Sequence, residues 1–140
     1  MVSFTTGLLF SIFGCHIIKL LSMNVEEIRD YCLAKKGVDE SFPFDNETLV
    51  FKAGGKIFLL MGINANPIQF NVKCEPQKAI DLREKYNCVL PGYHMNKAHW
   101  NTVVCDGRAT KKIIFEWIDH SYDLIIGSLP KKQRDAFLKF

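Results

Sequence analysis

The chain has 140 residues, of which 48% are hydrophobic and 24% charged, with a formal net charge of +3 at pH 7. That length holds one core and leaves no room for two ordinary domains. The composition excludes a disordered chain, and so small an overall charge supports only weak attraction to a polyanion.

The charge is unevenly spread. Met23 to Phe51 carries three basic against seven acidic residues, Lys52 to Lys112 ten against four, and Ile113 to Phe140 four against four. The middle segment is therefore where a negatively charged partner is expected. Five cysteines, Cys15, Cys32, Cys74, Cys88 and Cys105, form no C-x-x-C pair and leave one over. Such usage points to reduced thiols and a cytoplasmic location, without a zinc site.

Residues 1–22 form an apolar stretch whose single charge is Lys19. Leu8 to Phe13 resembles the core of a signal peptide, but no basic residue precedes it and no small-residue cleavage site follows. The run is also short and diluted for a membrane span. It is expected to stand outside the fold as an extension, with a membrane-associating tail or an extra packed helix as alternatives, while 23–140 forms one domain without a membrane role.

Asn24 starts a helix as N-cap, with Glu27 in capping-box position, and Val25, Ile28 and Cys32 supply its buried stripe. Gly37 is expected to end it. Thr48–Lys52 and Lys56–Met61 are β-rich runs joined by Ala53-Gly54-Gly55, a hairpin signal. Ile68 to Lys73 alternates cleanly, which puts Ile68, Phe70 and Val72 toward the core and Gln69, Asn71 and Lys73 on the other face. Pro76 opens a second helix that closes near Tyr86. After Asp106-Gly107 a long helix is predicted from Thr110 to Gly127 with Trp117 in its core stripe, and Lys131 to Phe140 is a short terminal helix with Ala136, Phe137 and Phe140 as its apolar side. The predicted architecture is α+β, an antiparallel sheet of about five strands with helices packed on one face.

Between the second and third helices lies Pro91-Gly92-Tyr93-His94-Met95-Asn96-Lys97-Ala98-His99-Trp100-Asn101. Pro91-Gly92 bends a strand, and His99 to Cys105 reads as the next one. Rings and hydrogen-bonding groups are concentrated here. His94 and His99 lack zinc spacing and a cysteine close enough to complete a site. No carboxylate occurs between Glu84 and Asp106 to orient a catalytic histidine, so an enzyme is not expected.

With the flanking Cys88-Val89-Leu90 and Thr102-Val103-Val104, this stretch resembles the signature of the MmcQ/YjbR family, small bacterial proteins with a frataxin-like (CyaY-like) fold. That signature reads Pro-Gly-Tyr-His, a hydrophobe, Asn or Ser, Lys, a basic residue and His-Trp. Ala98 stands at the basic position and removes one expected charge. Phe42-Pro43-Phe44, Thr48 to Lys52 and Ser121 to Leu124 extend the resemblance, which runs from Met23 to Phe140. It implies a non-enzymatic DNA-binding protein with a "double wing" surface. The first helix of frataxin-like folds can carry an acidic ridge associated with iron, but Arg29, Lys35 and Lys36 interrupt it here, so no obligatory metal and no other cofactor is expected.

On that reading Lys52, Lys56, Lys73, Lys97 and Arg108, with Lys111 and Lys112, neutralise phosphates of DNA. Asn71, Asn96, Asn101 and Gln69 meet base edges or phosphates, and Tyr93, His94, His99 and Trp100 offer rings or packing surface. The wings would be the Lys52–Lys56 turn and the Pro91–Asn101 region, in a monomer with little sequence preference. Two other readings stay open. The same face could bind a small anionic ligand or a partner protein, or the motif could be a folding device whose polar groups satisfy the backbone.

Overall fold

The computed structural model describes residues 23–138; the expectations for 1–22 and for Phe140 lie outside them. Ten elements follow in order: α1 (Val25–Leu33), β1 (Val38–Ser41), β2 (Thr48–Ala53), β3 (Lys56–Gly62), β4 (Ile68–Lys73), α2 (Pro76–Lys85), β5 (Val89–Pro91), β6 (Trp100–Cys105), α3 (Lys111–Ser128) and α4 (Lys131–Leu138). The strands make one antiparallel sheet in the order β1-β2-β3-β4-β6-β5. The α+β expectation holds, with six strands in place of about five. The unforeseen one is β1, whose Val-Asp-Glu-Ser sequence is polar because it lies at the sheet edge.

Helix ends follow local chemistry. Asn24 Oδ1 accepts the Glu27 N–H at 2.8 Å, but the Glu27 carboxylate pairs with Lys111 at 2.6 Å, so only half of the expected capping box forms. Helix α1 ends at Leu33, earlier than expected, and Gly37 uses its positive φ of 70° to lead the chain into β1. The Glu75 carboxylate caps α2 through the N–H groups of Gln77 and Lys78, and Thr110 caps α3.

Pleating puts Leu49, Phe51, Leu59, Met61, Phe70, Val72 and Val103 on the side covered by the helices. There they meet Ile28 and Cys32 of α1 and Ile114, Trp117, Ile118 and Ile125 of α3. Trp117 is a core residue, as its helical spacing predicts, and packs edge-on against Tyr86 at 5.0 Å. Burial pushes the thiols of Cys32 and Cys105 up to about 12 and that of Cys74 to about 11, so all three remain protonated near neutrality.

A bulge in β3 brings Phe58 onto the core side between Phe51 and Tyr122. The β3–β4 ladder then stops at the Leu59–Val72 pair. Ser121 of α3 supplies the next rung: its hydroxyl accepts the Lys73 N–H at 2.8 Å and donates to the Phe58 carbonyl at 2.6 Å.

Candidate functional site

No helix among the described residues covers the other face of the sheet, whose rows can be read from the strand register. One row runs Asp39, Lys52, Ile57, with Lys73 and Trp100 paired beyond the bulge. The next runs Ser41, Val50, Leu60, Asn71, Thr102, Leu90. Val50 is fully buried yet stands outside the helix-side core. The open face therefore has an apolar centre of its own. Above it lies a groove of about 480 Å³ bounded by Phe44 at one side and Tyr93, His94 and Met95 at the other, with Ile57, Leu60, Gln69, Asn71 and Thr102 along its floor. Among the described residues, no lysine, arginine, aspartate or glutamate lines it.

The 92–99 loop forms one wall because the sheet holds it there. The Thr102 hydroxyl accepts the Tyr93 N–H at 2.9 Å and donates to Asn71 Oδ1 at 2.5 Å, while Asn71 Nδ2 donates to the Tyr93 carbonyl at 3.1 Å. One residue is thus gripped at both its backbone groups. Gly92 allows the close approach: a Cβ there would sit 2.7 Å from Trp100 Cβ and 2.9 Å from its carbonyl oxygen. At the crest His94 takes φ 56°, unusual for a residue with a side chain, and its ring lies 3.9 Å from that of Tyr93. Tyr93 is 69% exposed and Phe44 66%. These are ring surfaces presented to solvent.

Other residues of the motif build the loop. Lys97 turns its ammonium back onto the Gly92 carbonyl at 3.1 Å, Asn96 Oδ1 accepts the Ala98 N–H at 2.9 Å, and Arg83 of α2 donates to the Lys97 carbonyl at 3.0 Å. The exposed His99 lends its carbonyl to the Cys74 N–H.

The expected DNA-contacting residues do not all share this face. Asn101 is 1% exposed and faces the helices, where its amide donates to the Ala79 carbonyl at 3.3 Å; parity within β6 puts it opposite Trp100 and Thr102. It cannot meet a ligand on the open face. Lys56, paired with Ala53, also belongs to the helix side and reaches the carbonyl and hydroxyl of Ser128 at 3.3 Å each. Arg108 lies beyond the far end of β6 and pairs with Asp106 at 2.6 Å, and Lys111 pairs with Glu27. Lys52, Lys73 and Trp100 share the open-face row described above, and Asn71 lies one row away. Sequence reasoning missed Phe44, Ile57 and Leu60 as groove residues. The signal for the last two was the unbroken apolar run Ile57 to Met61, which in an antiparallel sheet means that both faces are covered.

No group of three histidine, cysteine or acidic side chains arranged to hold a metal occurs among the described residues, and none of their helices is long and apolar enough to cross a membrane.

A family model described as YjbR matches residues 33–124. The chain belongs to the YjbR family. A relative in Escherichia coli K12, "Uncharacterized protein YjbR", is 32% identical over 84% of this chain and 99% of its own length. "Uncharacterized protein YbdF" of Escherichia coli O157:H7 is 35% identical over 69% of this chain and 80% of its own. Among solved structures, a Deinococcus radiodurans protein with the domain called DUF419 superposes with a TM-score of 0.79 at 32% identity, over 84% of this chain and 88% of the other. A Pseudomonas syringae protein gives 0.64 at 29% identity, over 74% and 99%. The YjbR match spans β1 to β6 and most of α3, so the groove floor and the 92–99 loop both fall within it.

Proposed function

We propose that this YjbR-family chain is a non-enzymatic binding protein that takes a small ligand into the groove on its open sheet face. The observation that carries the reading is the groove's lining: aromatic walls, an aliphatic floor at Ile57 and Leu60, and a few fixed polar groups, without a formal charge from a lysine, arginine or carboxylate. Its volume lies in the range of small-molecule sites. The network among Tyr93, Asn71 and Thr102 supports preorganisation, since a wall already fixed loses little freedom on binding. Binding without turnover is the economical assignment, because the Thr102 hydroxyl is already committed to the Tyr93 N–H and to Asn71 Oδ1. Among the described residues Cys32, Cys74, Cys88 and Cys105 are buried and free of disulfides, which supports action in a reducing compartment, and the protein is taken to work as a monomer.

The test uses N-phenyl-1-naphthylamine, a neutral dye whose emission rises in apolar surroundings. Saturable one-to-one binding that weakens about tenfold in Tyr93→Ala is expected. Failure of the folded wild-type protein to bind the dye or to respond to Tyr93→Ala would remove the groove as a ligand site.

DNA binding is the second reading, favoured by the row holding Lys52 and Lys73 beside the half-exposed Trp100. Lys56 and Lys97, the lysines expected at the wing tips, are engaged by the chain's own carbonyls. Titration of a duplex at several salt concentrations separates the readings. Phosphate recognition through the open face requires steep salt dependence and loss of binding in Lys52→Glu/Lys73→Glu.

A further inference from the structure

The groove is uncharged, but the row at its Ile57 end is not. Lys52 lies cross-strand from Ile57, and Lys73, paired with Trp100, ends β4 on the other side of β3, one residue past the Leu59–Val72 pair and on the open face. Both side chains are half-buried, and neither enters a salt bridge or a side-chain hydrogen bond among the described residues. By contrast Arg29, Lys35, Arg108 and Lys111 each pair with a carboxylate. The nearest acid in the row is the exposed Asp39, cross-strand from Lys52 on the side away from Ile57.

We infer that the ligand of this groove is bipartite: an uncharged, flat or branched apolar body between Phe44 and Tyr93, joined to one anionic group that reaches Lys52 and Lys73 past Ile57. The inference rests on the groove reading proposed above and adds the chemical class of the occupant. Charge complementarity sets that class. An apolar body alone leaves two lysines on the open face unused, whereas a multiply charged ligand would put charge against Leu60 and Tyr93, where no group answers it. A carboxylate, a sulfonate and a phosphate monoester each satisfy the same two ammonium groups. The long, flexible lysine stems suit a point charge better than a bidentate geometry. Trp100, next to Lys73 in register, would sense the anionic end, and the buried Trp117 would not.

The experiment compares two dyes with the same body, 8-anilinonaphthalene-1-sulfonate and N-phenyl-1-naphthylamine, which differ by the sulfonate. The expected result is that the sulfonate dye binds more tightly at low salt and perturbs Trp100 emission. Its advantage over the neutral dye should shrink about three- to fivefold in Lys52→Gln and again in Lys73→Gln, and grow in Asp39→Asn. An affinity ratio of about one that ignores the lysines and salt overturns the inference while leaving the groove reading intact. Binding by neither dye overturns both. Folding of each variant is checked by its thermal midpoint, and Lys56→Gln, on the opposite face, serves as the control that should leave the ratio unchanged. Swapping the sulfonate for a naphthyl carboxylate and a naphthyl phosphate then distinguishes the anion's source by rank of affinity.

Discussion

The Gly54–Gly55 turn and the 92–99 loop close two hairpins at one end of the same sheet, and lysines adjoin both, yet they are held in opposite ways. The turn is as short as a hairpin permits, with φ 58° and 81° at its two glycines. Its inner side meets Leu129, and Lys56 is drawn to the end of α3. The loop leans the other way, over the open face, and is fastened by side chains of the strands beneath it. Position at a sheet end does not make a wing. What a loop offers a ligand depends on which face its anchors belong to.

This contrast can be broken most severely at Gly92. Gly92→Ala should cost about 2–3 kcal/mol, because the new methyl meets the Trp100 backbone and Cβ, neither of which can move aside. Gly54→Ala should cost less, about 1–2 kcal/mol, since the strain of a left-handed alanine is accompanied only by contact with the end of the Leu129 side chain. Urea unfolding of both variants checks the order. Thr102→Val is expected to lose about 2 kcal/mol by leaving the Tyr93 N–H without its partner, and the faster amide exchange of Tyr93 should exceed that of any residue in the Gly54–Gly55 turn. Lys97→Gln should cost under about 1 kcal/mol, as one lysine-to-carbonyl bond near the surface warrants.

The smallest effect concerns the helix behind the loop. Helix α2 buttresses it through Arg83, and the Glu75 N–H at its start donates to His120 Nε2 at 3.2 Å. Burial lowers the His120 pKa below its usual 6.5, with nearby Lys78 adding to the effect. A depressed histidine contributes fully above pH 6.5 and loses that contribution as pH falls through its folded value. Below 4.5 the Glu75 carboxylate, lowered by the N–H groups of Lys78 and Gln77, adds a second loss. The thermal midpoint should hold between pH 8 and 7 and decline by a few degrees toward pH 5, and His120→Gln should flatten that upper part of the decline.

Periodicity exposed most of the scaffold. The alternation from Ile68 to Lys73 placed Phe70 inside and Asn71 outside correctly, and the stripe through Ile114, Trp117 and Ile118 placed α3 on the core. Edge strand β1 escaped because its outward residues face water and its four positions are too few for a pattern. The family signature was legible as a block, but the division of labour within it was not. Asn101 and Thr102 are adjacent polar residues in one strand, and only pleat parity tells that the first serves α2 and the second the loop. Lys56 and Lys52 are separated by a turn, and a bulge one residue beyond Ile57 changes which neighbours share a face. Long-range partners such as Ser128 for Lys56 leave no local trace at all.

Ser121 carries a consequence for how the molecule opens. Because its hydroxyl completes the ladder between Phe58 and Lys73, the long helix shares in the sheet's own bonding as well as covering it. The amide at the end of a strand ordinarily exchanges with solvent by fraying. That of Lys73 is instead tied to departure of the helix, so α3 and the central strands should open as one cooperative unit, with the Lys73 amide among the last to exchange.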